Sequence, residues 1–191
     1  MNLGIFLRRV VEILDQAQVP YMLTGSLAAA YYATPRATQD IDVVVDPDEV
    51  GLQRVVDGFS NAGYYVDREV ALEALEARGQ FNAIDPASGW KVDLVIRKER
   101  PFSETEFERR RNASLLGVQV SLASLEDILL AKLEWAQLAD SALQRRDVLQ
   151  LLERSSDRLD LDYLEHWVHE LDLEAEWKRL RQESGESEDR G

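Results

Sequence analysis

The sequence has no cysteine and no long hydrophobic run, and each absence excludes a class of protein. Without cysteine, the 191-residue chain forms neither disulfides nor thiolate metal sites. It contains no run of about 18 apolar residues, so we expect no membrane-spanning helix. Arg8 and Arg9 come too early to leave room for the apolar region of a signal peptide. These absences favour a cytoplasmic protein.

Positive charge is scarce relative to negative charge. The chain has 22 Lys and Arg residues against 36 Asp and Glu residues, a formal net charge of −14. A protein that binds nucleic acid mainly through its phosphates needs a basic surface. The charge therefore makes a long nucleic acid the less favoured partner, although a local basic cleft is compatible with this total. It favours a small molecule, a protein or a basic partner.

The spacing of apolar residues divides the chain into a mixed first part and a helical second part. Helix and strand patterns alternate as far as residue 122, whereas only helical spacing follows Ser124, whose segment Ser124–Asp127 is similar to a capping box. We predict an α+β fold with a mixed β-sheet core flanked by helices and followed by a helical region. The expected boundaries are 1–122 for the core, 123–182 for the helical region and 183–191 for a disordered acidic tail.

Within the first part, several shorter elements follow from the same patterns. Residues 81–84 and 91–96 are predicted strands joined by the turn-rich residues 85–89, which indicates a hairpin. Residues 102–111 are predicted to be helical, and residues 117–120 to form a last strand.

Two aspartates lie at the start of the most strand-like segment. Ile41 to Val45 is β-branched and apolar, which is typical of a strand buried on both faces. Asp is disfavoured in strands, yet Asp40 and Asp42 flank Ile41. Side chains alternate along a strand, so the two carboxylates share one face, about 7 Å apart at the backbone. That spacing is suited to binding a hard cation.

A third carboxylate has a similar context. Asp93 lies in the apolar strand 91–96, and Lys91 precedes it by two residues, so both side chains would point to one face. If this strand neighbours the first, three acids converge and suit one or two Mg²⁺ ions against nucleotide phosphates. Alternatively, Asp93 pairs with Lys91, and Asp40 and Asp42 are a turn residue and an edge acid.

A glycine and a serine join the strand before these acids to the next helix. Gly25 allows close backbone approach to a ligand, and Ser26 offers a hydroxyl and an amide at a helix N-terminus. On its own, such a pair is commonly only a helix cap. An Asp-x-Asp pattern that starts fourteen residues after Ser26 makes a phosphate-binding role more specific.

Together, these motifs resemble the minimal nucleotidyltransferase superfamily, related to DNA polymerase beta. A narrower resemblance, to AbiEii-like and similar uncharacterised bacterial nucleotidyltransferases, covers roughly residues 20–153. The segments that carry the narrower resemblance are residues 36–42, residues 89–94, residues 124–132 and Arg145-Arg-Asp147.

The resemblance implies a metal-dependent enzyme that transfers a nucleoside monophosphate from a triphosphate to an acceptor hydroxyl and releases pyrophosphate. It implies that Asp40, Asp42 and Asp93 are catalytic and hold Mg²⁺ or Mn²⁺. Asp93 would also help to deprotonate the acceptor. That acceptor, a small molecule, a protein or an RNA, is not identified by the motifs.

The resemblance also implies a set of nucleotide-binding residues. Gly25 and Ser26 would hold the triphosphate, and Arg36 and Lys132 would add positive charge near it. For Arg36 the alternative is a loop charge, and for Lys132 a solvated helix face. Arg145 and Asp147 are expected to form a structural ion pair between helices.

The acidity of the chain supports a second hypothesis from a different class. A protein with net charge −14 and an acidic C-terminal half could act chiefly by covering a basic partner. The chain would then be the regulatory component of a toxin–antitoxin-like pair, with little or no turnover. In that half, Trp135, Trp167 and Trp177 fall at helical core positions and are expected to pack inside.

Overall fold

A computed structural model describes residues 2–33 and 40–188, which form two compact units. Described residues 2–27 and 40–123 belong to the first unit, and residues 28–33 and 124–188 to the second. Helix α2 (Gly25–Tyr32) therefore begins in one unit and ends in the other. Across these ranges, no helix has both the length and the apolar character needed to cross a membrane.

The first unit is built around one mixed β-sheet. Besides the start of α2, the elements of this unit are α1 (Leu3–Ala17), β1 (Tyr21–Thr24), β2 (Asp40–Val45), α3 (Glu49–Asn61), β3 (Tyr65–Val66), α4 (Arg68–Ala77), β4 (Gln80–Ile84), β5 (Lys91–Ile96), α5 (Pro101–Glu108), β6 (Arg111–Leu115) and β7 (Val118–Leu122). Its described strands lie in the order β3–β4–β5–β2–β1–β7–β6. The pairs β1–β7 and β2–β5 are parallel and the other pairs are antiparallel. The prediction of an α+β fold with a mixed sheet is confirmed.

The two central strands β2 and β5 bury only one of their faces. In each, a fully buried residue alternates with a partly exposed one. Ile41, Val43 and Val45 form the buried face of β2, so the expectation that β2 is buried on both faces is wrong. The other face carries Asp40 and Asp42, whose charges favour contact with solvent. The alternation thus separates the core from the charged residues.

The last hairpin of the sheet differs from the prediction. Helix α5 ends at Glu108, and the predicted helix over residues 102–111 gives way to strand β6. Leu116 and Gly117 join β6 to β7 with φ angles of 52° and 74°, the left-handed turn that suits a two-residue hairpin. Pairing with β7 determines this strand, because its own sequence has little β-propensity.

The second unit is helical, and its helices pack around α6. In chain order its elements are the end of α2, α6 (Leu125–Leu138), α7 (Ala142–Ser155), a 3₁₀ turn (Ser156–Arg158), α8 (Leu161–Glu170) and α9 (Glu174–Glu188). Helices α7, α8 and α9 all contact α6. Leu129 and Leu133 of α6, Leu164 of α8 and Leu180 of α9 are fully buried at this centre.

Helix α9 extends further than the sequence suggests. It continues to Glu188, whereas a disordered tail was expected over residues 183–191. The buried Leu180 anchors the preceding turn, and Arg179 Nε lies 3.0 Å from Glu183 Oε1, an i,i+4 ion pair along the helix. Residues 189–191 lie outside the described part of the chain.

A buried polar network begins α6. The backbone N–H of Asp127 donates to Ser124 Oγ at 3.2 Å, and the Ser124 hydroxyl donates in return to Asp127 Oδ2 at 2.6 Å. The hydroxyl of Tyr163 donates to Asp127 Oδ1 at 2.6 Å. Ser124 is therefore the N-cap of α6, as the pattern predicts, and the Asp127 side chain accepts from its hydroxyl.

Replacing Ser124 with alanine should destabilise the fold by roughly 2–3 kcal/mol, because it removes the helix cap and one buried partner of Asp127. Urea unfolding followed by circular dichroism measures this change. The control is Ser60→Ala on the exposed surface of α3, for which we expect a change within about 0.5 kcal/mol. Equal effects of the two substitutions would show that the network does not stabilise the protein.

Candidate active site

One row of polar residues crosses four neighbouring strands. In the sheet register, Thr24 of β1 is opposite Asp42 of β2, Asp42 is beside Asp93 of β5, and Asp93 is opposite Asn82 of β4. Residues paired in this way project to the same face of a sheet. Adjacent strands are about 4.8 Å apart, so Asp42 and Asp93 are immediate neighbours. The two acidic strands are thus neighbours, which was the condition for their acids to converge.

The next pair along the same two strands is Asp40 and Lys91. They are register partners, and each is two residues from an aspartate of the row. Lys91 Nζ lies 2.8 Å from Asp93 Oδ2 and 3.8 Å from Asp40 Oδ2. Lys91 therefore points to the carboxylates, as its position two residues before Asp93 suggests.

The charge state of Lys91 follows from these contacts. Its hydrogen bond to Asp93 raises the pKa of the lysine above the ordinary value, and the charges of Asp93, Asp40 and Asp42 raise it further. Partial burial opposes this rise because it disfavours the charged form. The net direction is upward, so Lys91 is an ammonium ion at physiological pH.

Gly25 lies directly against the carboxylate of Asp42. Its φ angle is 67°, a conformation that side chains rarely adopt. A Cβ atom built at this position would lie 1.9 Å from Asp42 Oδ2 and 2.7 Å from Asp42 Cβ. Both contacts are too short, so only glycine fits here. The first residue of α2 is thereby in contact with the central aspartate of the row.

Ser26 is the second residue of α2 and is half-buried. The first backbone N–H groups of a helix have no acceptor within the helix, and its N-terminus favours negative charge. Because Gly25 contacts Asp42, the N-terminus of α2 lies beside this carboxylate, an arrangement compatible with the phosphate cradle predicted from the sequence.

The acidic residues supply hard oxygen ligands of the type that Mg²⁺ and Mn²⁺ prefer. Within the residues the structure describes, no three acidic or histidine side chains are arranged to hold a metal ion. Asp93 instead accepts the hydrogen bond from Lys91. The close register of Asp42 and Asp93, and a positive charge already held among the acids, fit the chemistry of a cation site. That Asp40, Asp42 and Asp93 together hold such an ion stays a prediction.

The two other predicted nucleotide-binding residues lie elsewhere. Arg36 is outside the described residues. Lys132 belongs to the second unit, where it is 4% exposed and donates to Asp147 Oδ2 at 2.7 Å and to Gln144 Oε1 at 3.1 Å. These partners give Lys132 a structural role within that unit, and its contact with a nucleotide stays a prediction.

Arg145 and Asp147 form ion pairs that join α7 to other helices. Arg145 pairs with Glu176 and, at 2.7 Å, with Asp140, whereas Asp147 pairs with Lys132. Both residues therefore take part in ion pairs between helices, as expected, although not with each other. Residues two apart on a helix point to different faces, so a direct pair within α7 is not favoured.

Asn82 and Thr24 belong to the polar row and were not found from the sequence. The position of Asn82 could have been predicted, because a hairpin centred on residues 85–89 puts it opposite Asp93. The place of Thr24 in the row follows from the pairing of β1 with β2. Helix α2 lies between these two strands in the sequence, so no local pattern predicts that they pair.

No protein-family model matches the chain, and no curated protein matches it in sequence. Solved structures do match in fold. The crystal structure of ANT(2'')-Ia in complex with adenylyl-2''-tobramycin has a TM-score of 0.60 at 14% identity, covering 88% of this chain and 96% of that one. The solution structure of the antibiotic-resistance factor ANT(2'')-Ia gives a TM-score of 0.55 at 16% identity over 87% and 97%.

A third match is the lincomycin-bound lincosamide antibiotic adenylyltransferase LnuA, with a TM-score of 0.53 at 13% identity over 79% of this chain and 96% of that one. These neighbours are nucleotidyltransferases, and at such identities the likeness shows the fold. The chain therefore has the nucleotidyltransferase fold. The narrower resemblance to the AbiEii-like group stays a prediction.

The contact between Gly25 and Asp42 can be tested by substitution with alanine. Gly63→Ala is the matched control, since Gly63 also has a positive φ of 84° but nothing within 4 Å of its Cβ position. The control should lose about 1–2 kcal/mol of stability from backbone strain alone. Gly25→Ala should lose about 1–3 kcal/mol more, from the collision with Asp42. Thermal and urea unfolding measure both, and equal losses would contradict the contact.

Proposed function

We propose that this chain is a metal-dependent nucleotidyltransferase. It moves a nucleoside monophosphate from a nucleoside triphosphate to an acceptor hydroxyl and releases pyrophosphate. The observation that carries the proposal is the side-by-side register of Asp42 and Asp93 in a nucleotidyltransferase fold, with Gly25 and the N-terminus of α2 against the Asp42 carboxylate.

Different residues have different roles in this transfer. The backbone amides at Gly25 and Ser26 bind the triphosphate and hold its reacting phosphorus in place. A divalent ion, Mg²⁺ or Mn²⁺, held by Asp40, Asp42 and Asp93 would neutralise the charge of the phosphates. Asp93 also accepts the proton of the acceptor hydroxyl.

The transfer needs no reactant besides the triphosphate and the acceptor. The acceptor oxygen forms a bond to the α-phosphorus, and the bond from that phosphorus to the bridging oxygen breaks. Pyrophosphate leaves with the electron pair of that bond, and the acceptor proton passes through Asp93 to solvent. The protein contributes positioning and electrostatic stabilisation.

A small hydroxylated molecule is the acceptor that we favour. The net charge of −14 disfavours a long nucleic acid. One structural neighbour was solved with an adenylyl-tobramycin product and another with lincomycin, both small molecules. A protein or RNA hydroxyl would need a dedicated binding surface, and the described residues carry no large excess of positive charge for an RNA.

Incubation with each α-³²P-labelled triphosphate, Mg²⁺ and a cell extract tests the proposed activity. Wild-type protein should move label into a small-molecule fraction. The variant Asp40→Asn, Asp42→Asn should lose about 10²–10³-fold in rate, because the charges that hold the metal and the phosphates are gone. Both substitutions keep the side-chain size beside Gly25.

The matched control is Glu73→Gln on the exposed face of α4, which removes one acidic charge far along the chain from the site and should leave the rate unchanged. Label that enters protein or RNA instead would change the acceptor class. Equal labelling by the double variant and wild type would refute the proposed function.

An exposed apolar surface supports the second candidate function, a regulatory binding component. Trp135 is 58% exposed, so the expectation that it packs inside is wrong, and Leu138, one turn further along α6, is 72% exposed. Large apolar side chains in adjacent turns are common at protein interfaces. In this alternative, the acidic chain binds a basic partner protein and has little turnover.

Native co-purification distinguishes the two candidates. If the chain acts by binding, a basic partner should be recovered at a fixed stoichiometry, and Trp135→Ala, Leu138→Ala should reduce its recovery at least tenfold. Leu161→Ala is the control, since Leu161 is also exposed but lies on α8. A chain that stays alone at high concentration would argue against this alternative.

A further inference from the structure

A cavity of about 510 Å³ lies in the first unit, beside the start of β1. Its volume is within the range of about 300–1,000 Å³ that is common for small-molecule sites. Tyr21 of β1 lines it and comes three residues before Thr24, about 10 Å along the strand, so the cavity is separate from the polar row of the candidate active site. Its polar lining residues are Asp15, Tyr21, Arg110, Asn112, Gln119 and Ser121.

The lining carries one charge of each sign, Asp15 and Arg110. In the part of the chain that the structure describes, neither side chain forms an ion pair, with the other or with a third residue. Asp15 also lies in the last turn of α1, where the helix dipole disfavours a negative charge. A ligand with a cationic group at Asp15 would offset this unfavourable position.

The guanidinium of Arg110 is held in place by Phe107. Its Cζ atom lies 4.1 Å from the centroid of the Phe107 ring, and Nη1 donates to the backbone carbonyl of the same residue. This hydrogen bond uses one of the several N–H groups that a guanidinium carries. The planar group can bind a carboxylate through two parallel hydrogen bonds, and its fixed position reduces the entropy that binding would cost.

Neutral polar groups complete the lining. Asn112 and Gln119 offer amide donors and acceptors, and Ser121 offers a hydroxyl. Burial raises the pKa of the Tyr21 hydroxyl, a hydrogen bond with the backbone of Ser121 opposes this rise, and the charge of Asp15 adds to it. The net direction is upward, so this hydroxyl keeps its proton and can donate to a ligand. The effect of Asp15 also shows that its carboxylate is close enough to the hydroxyl for the two groups to interact.

We propose that this cavity binds a small zwitterion of the amino-acid class, with its ammonium group at Asp15 and its carboxylate at Arg110. The lining has no net charge, which suits a ligand without net charge. An uncharged sugar would leave both charges unpaired, and a simple cation or anion would pair with only one of them. The inference does not depend on the proposed nucleotidyltransferase function, because the cavity includes no residue of the polar row.

A series of zwitterions tests the inference on the full chain. Glycine, β-alanine, 4-aminobutyrate and 6-aminohexanoate differ in the distance between their two charges, and the standard α-amino acids differ in their side chains. Each compound is titrated into the protein and binding is measured by isothermal titration calorimetry. At least one should bind about tenfold or more tightly than butylamine, butyrate and glucose, because only a zwitterion pairs with both charges.

Variants of the two charged residues locate the site. Asp15→Asn and Arg110→Gln should each weaken binding of the best zwitterion about tenfold or more, because each removes one charged partner. The matched controls are Glu12→Gln, also exposed on α1, and Arg111→Gln, the next residue after Arg110. Neither control residue lines the cavity, so both variants should keep the wild-type affinity. Arg110→Lys keeps the charge without the planar group and should lose less affinity than Arg110→Gln.

Three results would overturn the inference. The first is that no zwitterion binds more tightly than butylamine and butyrate, and the second is that glucose binds most tightly, which would indicate a sugar site. The third is an equal loss of affinity in the control variants, which would place the zwitterion elsewhere on the protein. The unfolding midpoint of every variant is measured in parallel, so that a folding defect is not taken for a binding defect. If Arg110→Gln does not fold, Asp15→Asn and Arg110→Lys decide.

Discussion

The parallel pairing of β2 with β5 is the interaction on which the candidate site depends. It sets Asp42 beside Asp93 and Asp40 beside Lys91 without any loop between them. On the opposite face, the same pairing aligns Ile41 with Val92 and Val43 with Leu94, all of them buried. The hydrophobic core therefore stabilises the register that brings the charged groups together. Repulsion between neighbouring carboxylates is offset by the ammonium of Lys91, which lies within hydrogen-bonding distance of Asp93.

Much of this arrangement is predictable because it depends on local patterns. The alternation of apolar and acidic residues in β2 and β5 indicates both strands and the face that their acids share. The turn-rich residues 85–89 predict the β4–β5 hairpin, and the positive φ of Gly25 suits a position where a strand passes into a helix. The resemblance that these motifs carry implies the nucleotidyltransferase fold, which the structural comparisons show.

What the sequence does not reveal depends on contacts between distant residues. Residues 111–115 have little β-propensity and form a strand only because β7 pairs with them. The partners of Arg145 and Asp147 lie on α9 and α6, and a charge in the sequence does not indicate which opposite charge it meets. Trp135 occupies an apolar position in the pattern of α6, yet no neighbouring helix covers it in the described chain. The assignment of residues 28–33 to the second unit follows from tertiary packing alone.

The alternation along β2 also constrains how the chain can vary. Inserting or deleting one residue within β2 would exchange its two faces, so that Ile41 and Val43 reach the surface while the carboxylates enter the core. Loss of activity and loss of folding would then occur together. A point substitution at Asp40 or Asp42 would remove activity without preventing folding, since these side chains lie outside the core. Inactive but folded relatives of this chain should therefore differ from it by substitutions in β2, with the length of that strand unchanged.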